Sequence, residues 1–485
     1  MIRFVLDGEI RQLDVVDPTR TVLEWLREDQ RRVGTKEGCA EGDCGACTAV
    51  VGELIDDHIR YRAINTCIYF MPMLDGKELV TVESIGTPDR LHPVQQAIAD
   101  GDGTQCGFCT PGFVMSLFAR YQAADPALLS DVDDVLAGNL CRCTGYRPIQ
   151  EAASSVTPDM QLQSRFGGAE TRALLKSIQP EQGQDASYED ALFETGRSWH
   201  KPHTEAELGR LLKQFPGATM VAGATDVGLW VTKQHRLIET AIVLNGIESL
   251  KAVEMSEQGL RLGAMVTYSD AMAHFAILHA DLGELVRRIG STQVRNSGTI
   301  GGNIANGSPI GDTPPPLIAL GAELELASAE GLRVIALEDF FLDYGKQDLR
   351  PGEYVRSVLV PPPGDEAVFR TYKISKRFNQ DISALCGAFW VRLEENVVAD
   401  ARIAFGGMAA TPKRAAACER ALMGQAWTDE TIEAAAKAMA DDYAPISDMR
   451  ASASYRMKTA QNLLRKAYLE TRARKRTRIL EGVRG

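Results

Sequence analysis

The chain has 485 residues, 45% hydrophobic and 24% charged, the balance of a folded globular protein of about three domains. Lys and Arg total 53 against 65 Asp and Glu, a net charge of −12, which argues against a nucleic-acid partner because phosphate binding needs a basic footprint. No stretch approaches the roughly 20 apolar residues of a membrane span, and the first residues lack the basic-then-apolar layout of a secretory signal, so a cytoplasmic protein with no membrane partner is expected.

Residues 1–83 read as a small β-rich unit. Ile2–Leu6 and Gln12–Val16 alternate around an Asp7-Gly8 turn, and Thr21–Arg27 has the pattern of a short helix. Residues 84–160 change character, with helices predicted at His92–Ala99, Gly112–Gln122 and Val132–Leu136, joined by cysteine-bearing turns. Residues 161–195 are polar and rich in Gln, and read as a linker over the surface. Residues 196–365 mix β runs (Thr219–Ala222, Thr240–Leu244, Gly259–Leu262) with helical stretches and Gly-rich turns, up to Pro361-Pro362-Pro363-Gly364. Residues 366–485 begin with strands (Phe369–Ile374, Cys386–Leu393, Val398–Phe405) and end in helices rich in Ala and Arg. The closing basic residues Arg465, Lys466, Arg472, Arg474, Lys475, Arg476 and Arg478 read as a solvated terminal helix, with contact to an acidic partner as the alternative. There is no internal repeat.

Eight of the 10 cysteines fall between residues 39 and 143. In a reducing compartment such clustering points to metal or redox chemistry. Cys39, Cys44, Cys47 and the distant Cys67 give C-x4-C-x2-C…C, the plant-type [2Fe–2S] spacing. Three thiolates must converge from one tight loop, and Gly38, Gly42 and Gly45 permit the curl this needs. Backbone N–H groups of such a loop favour the reduced cluster, while Glu37, Glu41 and Asp43 act the other way. A zinc knuckle, the alternative, prefers paired C-x2–4-C motifs.

Cys106 and Cys109 (C-x2-C) and Cys141 and Cys143 (C-x-C) form a second set. Pro111 suits the first turn of a helix, which places Cys106 and Cys109 at its N-terminal end, where the dipole favours thiolates. Cys141 and Cys143 fall in a turn between two other helices. Spacing alone leaves this set open to zinc as well as to a cluster.

QCGFCTPG and GNLCRCTGY, downstream of EGCAEGDCGACT, resemble the iron–sulfur part of the molybdenum hydroxylases, the xanthine dehydrogenase and aldehyde oxidase group. The resemblance spans nearly all of residues 1–150. It implies two [2Fe–2S] clusters, the plant-type one nearer a flavin and the helical one nearer a molybdopterin.

Further on, Met220-Val221-Ala222-Gly223-Ala224-Thr225-Asp226-Val227 and the stretch Thr299–Asp312 are Gly-rich turns without a Rossmann G-x-G-x-x-G. Taken bare they are simply turns that could bring N–H groups onto a pyrophosphate. They resemble the FAD loops of the same family. The resemblance implies that residues 220–227 with Gly301, Gly302 and Asn303 cradle the pyrophosphate, and that Thr299 and Asp312 bond phosphate and ribose. It also places Ile289-Gly290 near the isoalloxazine, Lys373 on the flavin side and Val355 as an apolar neighbour. Ile289 cannot stack as the aromatic residue of some relatives would.

The fold class implied is multidomain α+β. It comprises a β-grasp [2Fe–2S] ferredoxin domain, a helical-bundle [2Fe–2S] domain, a vanillyl-alcohol-oxidase-type FAD domain and a C-terminal α+β domain of the carbon monoxide dehydrogenase flavoprotein type. No stretch resembles a molybdopterin domain. The implied role is therefore an electron-transfer subunit of an (αβ)2 heterotetramer with a large molybdopterin-binding partner. Electrons from oxidation of hypoxanthine or xanthine to urate would pass through the clusters to FAD and on to NAD+. Oxidation of an aldehyde or N-heterocycle by the partner is an alternative. A stand-alone iron–sulfur flavin reductase and a zinc-bound assembly protein are two others. Cys386 and Cys418 read as small buried hydrophobes, and the seven scattered histidines support no hydrolase. No catalytic residue is assigned on this chain.

Overall fold

The N-terminal alternation forms a hairpin in the computed structural model of the chain, β1 (Ile2–Leu6) against β2 (Glu9–Leu13). Asp7 and Gly8 both take positive φ (56° and 77°), the two-residue turn that matches strand twist. That turn sets Glu9 directly opposite Leu6, so the second strand runs over Glu9–Leu13 rather than the expected Gln12–Val16. The structure describes residues 1–123, 131–156, 166–179, 186–189, 196–473 and 477.

With β3 (Thr48–Ile55), β4 (His58–Asn65) and β5 (Glu78–Val80) the hairpin builds a five-stranded sheet of order β2-β1-β5-β3-β4, β1 and β5 parallel. This is the β-grasp arrangement expected. The helix expected at Thr21–Arg27 is a short turn, Val22–Glu24, fixed by a capping box between Thr21 and Glu24, that widens over Trp25–Asp29. Helices Pro93–Asp100, Thr110–Tyr121, Val132–Leu136 and Arg147–Ser155 follow. Phe113, Leu117, Phe118 and Ile149 pack them together against Val50 and Ala63 of the sheet.

Within the expected linker 161–195, the residues Ala169–Ser177 are helical. Leu175 and Ile178 are buried against Val5, with Leu174, Leu54 and Ile59 beside them. A short apolar edge inside a polar stretch is enough to dock the helix. Residues 161–165, 180–185 and 190–195 of that stretch, with 157–160 just before it, lie outside the described residues.

Strands β6 (Ala186–Glu189), β7 (Ser198–Lys201), β8 (Thr219–Val221) and β9 (Thr240–Val243) form a second sheet, order β6-β7-β9-β8, with β7-β9 and β8-β9 parallel. Trp199, Val221, Ile238, Ala241 and Val243 share a core with Phe4, Trp25 and Phe70. Residues 196–249 therefore belong with the N-terminal domains in one unit, which also takes in Thr267–Ser269 and Gly290–Thr299. The span 196–365 expected to bind FAD thus contributes to both units. The reason is the apolar face that β7, β8 and β9 bury against the ferredoxin sheet.

The second unit comprises Leu250–Val266, Asp270–Ile289 and the residues from Ile300 onward. Strands β10 (Val253–Ser256), β11 (Gly259–Gly263), β12 (Glu323–Ser328) and β13 (Gly331–Ala336) come first. A small hairpin follows, β14 (Phe341–Asp343) with β15 (Lys346–Gln347). Strand β16 (Tyr354–Val360) then completes an antiparallel sheet of order β10-β11-β16-β12-β13. A four-stranded sheet, β17 (Ala367–Ile374), β18 (Leu385–Glu394), β19 (Val397–Gly406) and β20 (Lys413–Arg414), is covered by helices Ala416–Leu422, Asp429–Asp442 and Ala453–Ala473. Phe389, Phe405, Trp427, Leu464 and Tyr468 form that core.

On the last helix Arg465 pairs with Glu433, Lys466 with Glu470 and Arg472 with Asp429. Arg474, Lys475, Arg476 and Arg478 lie outside the described residues. Among the described residues no helix is long and apolar enough to cross a membrane.

Candidate functional site

The loop from Gly38 to Cys47 curls as its glycines predict. A Cβ on Gly38 would lie 2.7 Å from Cys44 Sγ, so only glycine lets the backbone run beside that sulfur. The amides of Glu41 and Cys44 donate to Cys39 Sγ at 3.4 and 3.3 Å. Asn65 ties the loop to the end of β4, donating to Gly42 O at 2.8 Å, while its Oδ1 lies 3.9 Å from Cys47 Sγ.

The four thiols lie close enough to shift one another's ionisation. Hydrogen bonds from Cys44 and Cys67 hold Cys39 far below the usual thiol range, and Cys44 is pushed up in return by Cys39. Cys67 is raised by Cys39 and then by Cys47, which Cys67 in turn lowers. Cys47 and Cys67 are buried with Leu23 and Ile68.

In the second set Cys109 caps the helix Thr110–Tyr121, as Pro111 suggested, and Cys106 stands just before it. Cys141 and Cys143 occupy the turn between Val132–Leu136 and Arg147–Ser155. The Phe108 amide and then Cys143 lower Cys106, while Cys143 is raised by Cys106. Burial, and after it Cys141, pushes Cys109 up to about 12. Burial works against ionisation of Cys141 too, yet the Thr144 hydroxyl (3.1 Å) and amide (3.5 Å) prevail and lower it.

Among the described residues no group of three or more His, Cys, Asp or Glu side chains is spaced to hold a metal ion. Thiols gathered within hydrogen-bond reach of one another, backbone N–H groups aimed at sulfur and a glycine cradle with no room for Cβ all suit a [2Fe–2S] group.

The two loops interlock. Leu140, next to Cys141, donates its N–H to Cys44 O at 3.0 Å. Gly45 sits at φ +70°, and a Cβ there would fall 2.1 Å from Gly138 O. Gly45 O accepts from the Thr48 hydroxyl (2.6 Å), the Thr48 amide (3.1 Å) and Asn139 Nδ2 (3.0 Å). Thr48, Ser116, Asn139 and Gln293, whose side chains meet here, are not among the residues expected from the sequence. The Asn immediately before L-C-R-C was the available signal.

The expected flavin residues divide between the two units. In the first, β8 leads into Ala222–Thr225, with Ala224 at φ 58°. A Cβ on Gly223 would lie 1.7 Å from Ser297 O, which explains the glycine by close backbone packing. Asp226, its carboxyl raised by burial, accepts from Trp230 Nε1 at 3.1 Å. Met220 and Val227 flank this turn, Gly290 precedes the short helix Thr292–Ser297, and Thr299 is buried beyond it.

In the second unit Gly301 gives its N–H to Ala264 O at 3.0 Å, and a Cβ on it would strike Ala264 at 2.4 Å. That N–H is used in packing, and the place expected for Gly301 in a pyrophosphate cradle belongs to the proposal below. Gly302 and Asn303 stay half-buried, and Asn303 Oδ1 accepts from Thr313 at 2.6 Å. Asp312 and Lys373 are buried and paired with each other, and Ser383 donates to Asp312 as well. Arg288 donates to Lys373 O at 3.0 Å and lies over Phe378, with half-buried Ile289 beside it in the chain. Val355 is buried on β16 opposite Leu326.

Four family descriptions match in chain order. They are a 2Fe-2S iron-sulfur cluster binding domain (residues 4–71), a [2Fe-2S] binding domain (81–154), the FAD binding domain in molybdopterin dehydrogenase (192–363) and the CO dehydrogenase flavoprotein C-terminal domain (370–471). The chain is similar to the xanthine dehydrogenase of Drosophila pseudoobscura pseudoobscura, 33% identical over 93% of this chain and 38% of that one. It is likewise similar to the xanthine dehydrogenase of Emericella nidulans, 31% identical over 91% of this chain and 36% of the relative. The chain thus spans well under half the length of these relatives. Among solved structures, the carbon monoxide dehydrogenase of Hydrogenophaga pseudoflava is 29% identical with a TM-score of 0.54, over 57% of this chain and 98% of that one. Two [2Fe–2S] domains and an FAD-binding domain are present, and the chain belongs to the molybdenum hydroxylase family, as the iron–sulfur and FAD domains of a xanthine dehydrogenase-like member.

Proposed function

We propose that the chain is the FAD and iron–sulfur subunit of a xanthine dehydrogenase. Electrons from a molybdenum centre on a large partner subunit, where hypoxanthine or xanthine is oxidised to urate, would leave through this chain to NAD+. The observation that carries this reading is the direct hydrogen bond between the two cysteine loops, Leu140 N–H to Cys44 O, within a chain that also carries an FAD domain.

In this reading Cys39, Cys44, Cys47 and Cys67 hold one cluster and Cys106, Cys109, Cys141 and Cys143 the other. Residues 220–227, Ile289, Gly290, Thr299, Gly301, Gly302, Asn303, Asp312, Val355 and Lys373 serve FAD. When bound, the clusters carry single electrons and the flavin passes them on in pairs as hydride to NAD+. The chain's own part is to orient and insulate. Amides of Glu41 and Cys44 offset charge at Cys39, and burial keeps water from Cys47 and Cys67. The ion pair of Asp312 with Lys373 gives each of two buried charges an opposite partner. Reduced thiols as ligands suit the cytoplasm, and the assembly proposed is an (αβ)2 heterotetramer.

A second reading, another molybdenum hydroxylase whose partner oxidises an aldehyde or N-heterocycle, draws on the similarity to carbon monoxide dehydrogenase. Anaerobic co-purification with native partners, followed by iron, molybdenum and flavin assays and a substrate panel with NAD+, separates the two. Urate formation from xanthine by the complex supports the first reading. Aldehyde or N-heterocycle oxidation without it selects the second. Turnover with a natural acceptor by this chain alone would point to a stand-alone flavin reductase.

A further inference from the structure

Gln293 belongs to the segment Gly290–Thr299, between Ile289 and Gly301 in the chain, yet its side chain ends at the junction of the two cysteine loops. It is 1% exposed. Its Nε2 lies 3.1 Å from Thr48 Oγ1, 3.1 Å from Ser116 Oγ and 3.2 Å from Asn139 Oδ1. Thr48 follows ligand candidate Cys47 and passes the network to Gly45 O, and Asn139 lies two residues before Cys141. Ser116, on the helix that Cys109 caps, donates to Asn139 Oδ1 at 2.6 Å. One amide therefore touches elements that frame both cysteine sets.

Its carbonyl end is equally constrained. Oε1 is buried and has no hydrogen-bond partner among the described residues. It faces Gly138, where a Cβ would come within 2.0 Å. An unmatched buried carbonyl costs about 1–3 kcal/mol. A core Leu or Met would avoid that cost, so stability alone does not account for this glutamine. The segment is also clamped in place, by Thr292 Oγ1 to Asp134 O (2.9 Å) and Asn296 Nδ2 to Ala63 O (2.9 Å).

We propose that Gln293 is a positioning residue for electron transfer. Its amide dipole sets the electrostatic environment of both cluster loops at once, through Thr48 and Gly45 on one side and Asn139 on the other. The inference rests on the proposed binding of two clusters. A purely structural role predicts changes in stability alone, because packing loss does not alter the field at two separate clusters in a folded protein.

The test uses the full chain, reconstituted or isolated with its clusters, as wild type, Gln293→Met and Gln293→Glu. Iron content, the EPR signal of each cluster and both midpoint potentials are read. The expected result is full iron content with shifted g-values and potentials for both clusters in both variants. Unshifted signals, or a shift in one cluster only, overturns the inference. If Gln293→Met does not accumulate as folded protein, Ser116→Ala removes a single hydroxyl of the network and is read in the same way. A shift of both signals supports the proposal, and none overturns it. A wild type without two clusters sinks the proposed function instead, so the two failures are distinguishable.

Discussion

Half of the first cysteine set is enclosed, Cys47 and Cys67 being 1% and 3% exposed and Cys39 and Cys44 half-buried, whereas Cys106 and Cys143 of the second are exposed side chains. The first set is woven into a core with Leu23 and Ile68, against which the backbone of Gly228 packs closely. The second stands on a frame of helices whose core is supplied mainly by Phe113, Leu117, Phe118 and Ile149, with Cys141 buried at its edge and Cys109 packed against it. The contrast teaches that equal ligand chemistry can be coupled strongly or weakly to folding. Where ligands are also core, losing the metal site means losing the fold.

The largest expected effect breaks the enclosed set. Cys67→Ser is expected to lower bound iron from about four to about two per chain and to give the largest fall in melting temperature. An iron assay with thermal unfolding checks both, and an unchanged melting curve would erase the contrast. Gly45→Ala comes next, because it forces a side chain into φ +70° and against Gly138 O. A cost of about 1–3 kcal/mol is expected from denaturant melts, with both cluster signals disturbed since the two loops are wedged apart.

The helical domain carries a smaller, pH-dependent weakness. His92 Nδ1 accepts the Val94 amide at the start of its helix, between Phe118 and Tyr121, and burial pushes its pKa down to about 4. Its folded value lies below the ordinary 6.5, so the stability it contributes is present above about pH 6.5 and is lost as pH falls toward 4. His92→Asn, which keeps a capping acceptor, is expected to flatten stability measured across that range. The smallest stability effect belongs to Cys106→Ala. Iron is again expected to halve, while stability changes by no more than about 0.5 kcal/mol because the side chain is exposed. A large destabilisation there would show that both sets are equally bound to the fold.

The cysteine spacings, the turn at Asp7-Gly8, Pro111 at a helix start and the strands around Phe369 and Val398 could be read directly, because each depends on neighbours a few residues away. The expected flavin residues were read only through resemblance. Pairing of Asp312 with Lys373 joins residues 61 apart, and nothing in either local sequence announces it. The helix at Ala169–Ser177 escaped notice because three apolar residues in a polar stretch acquire meaning only against Val5, Leu54 and Ile59.

By itself, then, the sequence determined which residues can bind metal and how the first loop must curl, since a glycine-spaced thiol loop has few conformations open to it. Tertiary structure alone decided that residues 196–249 share a core with the ferredoxin sheet, that Gly301 spends its N–H on Ala264, and that Gln293 meets Asn139 across 154 residues. Those outcomes rest on which distant apolar faces and buried polar groups find partners, and a buried group is satisfied only once the whole chain has closed around it.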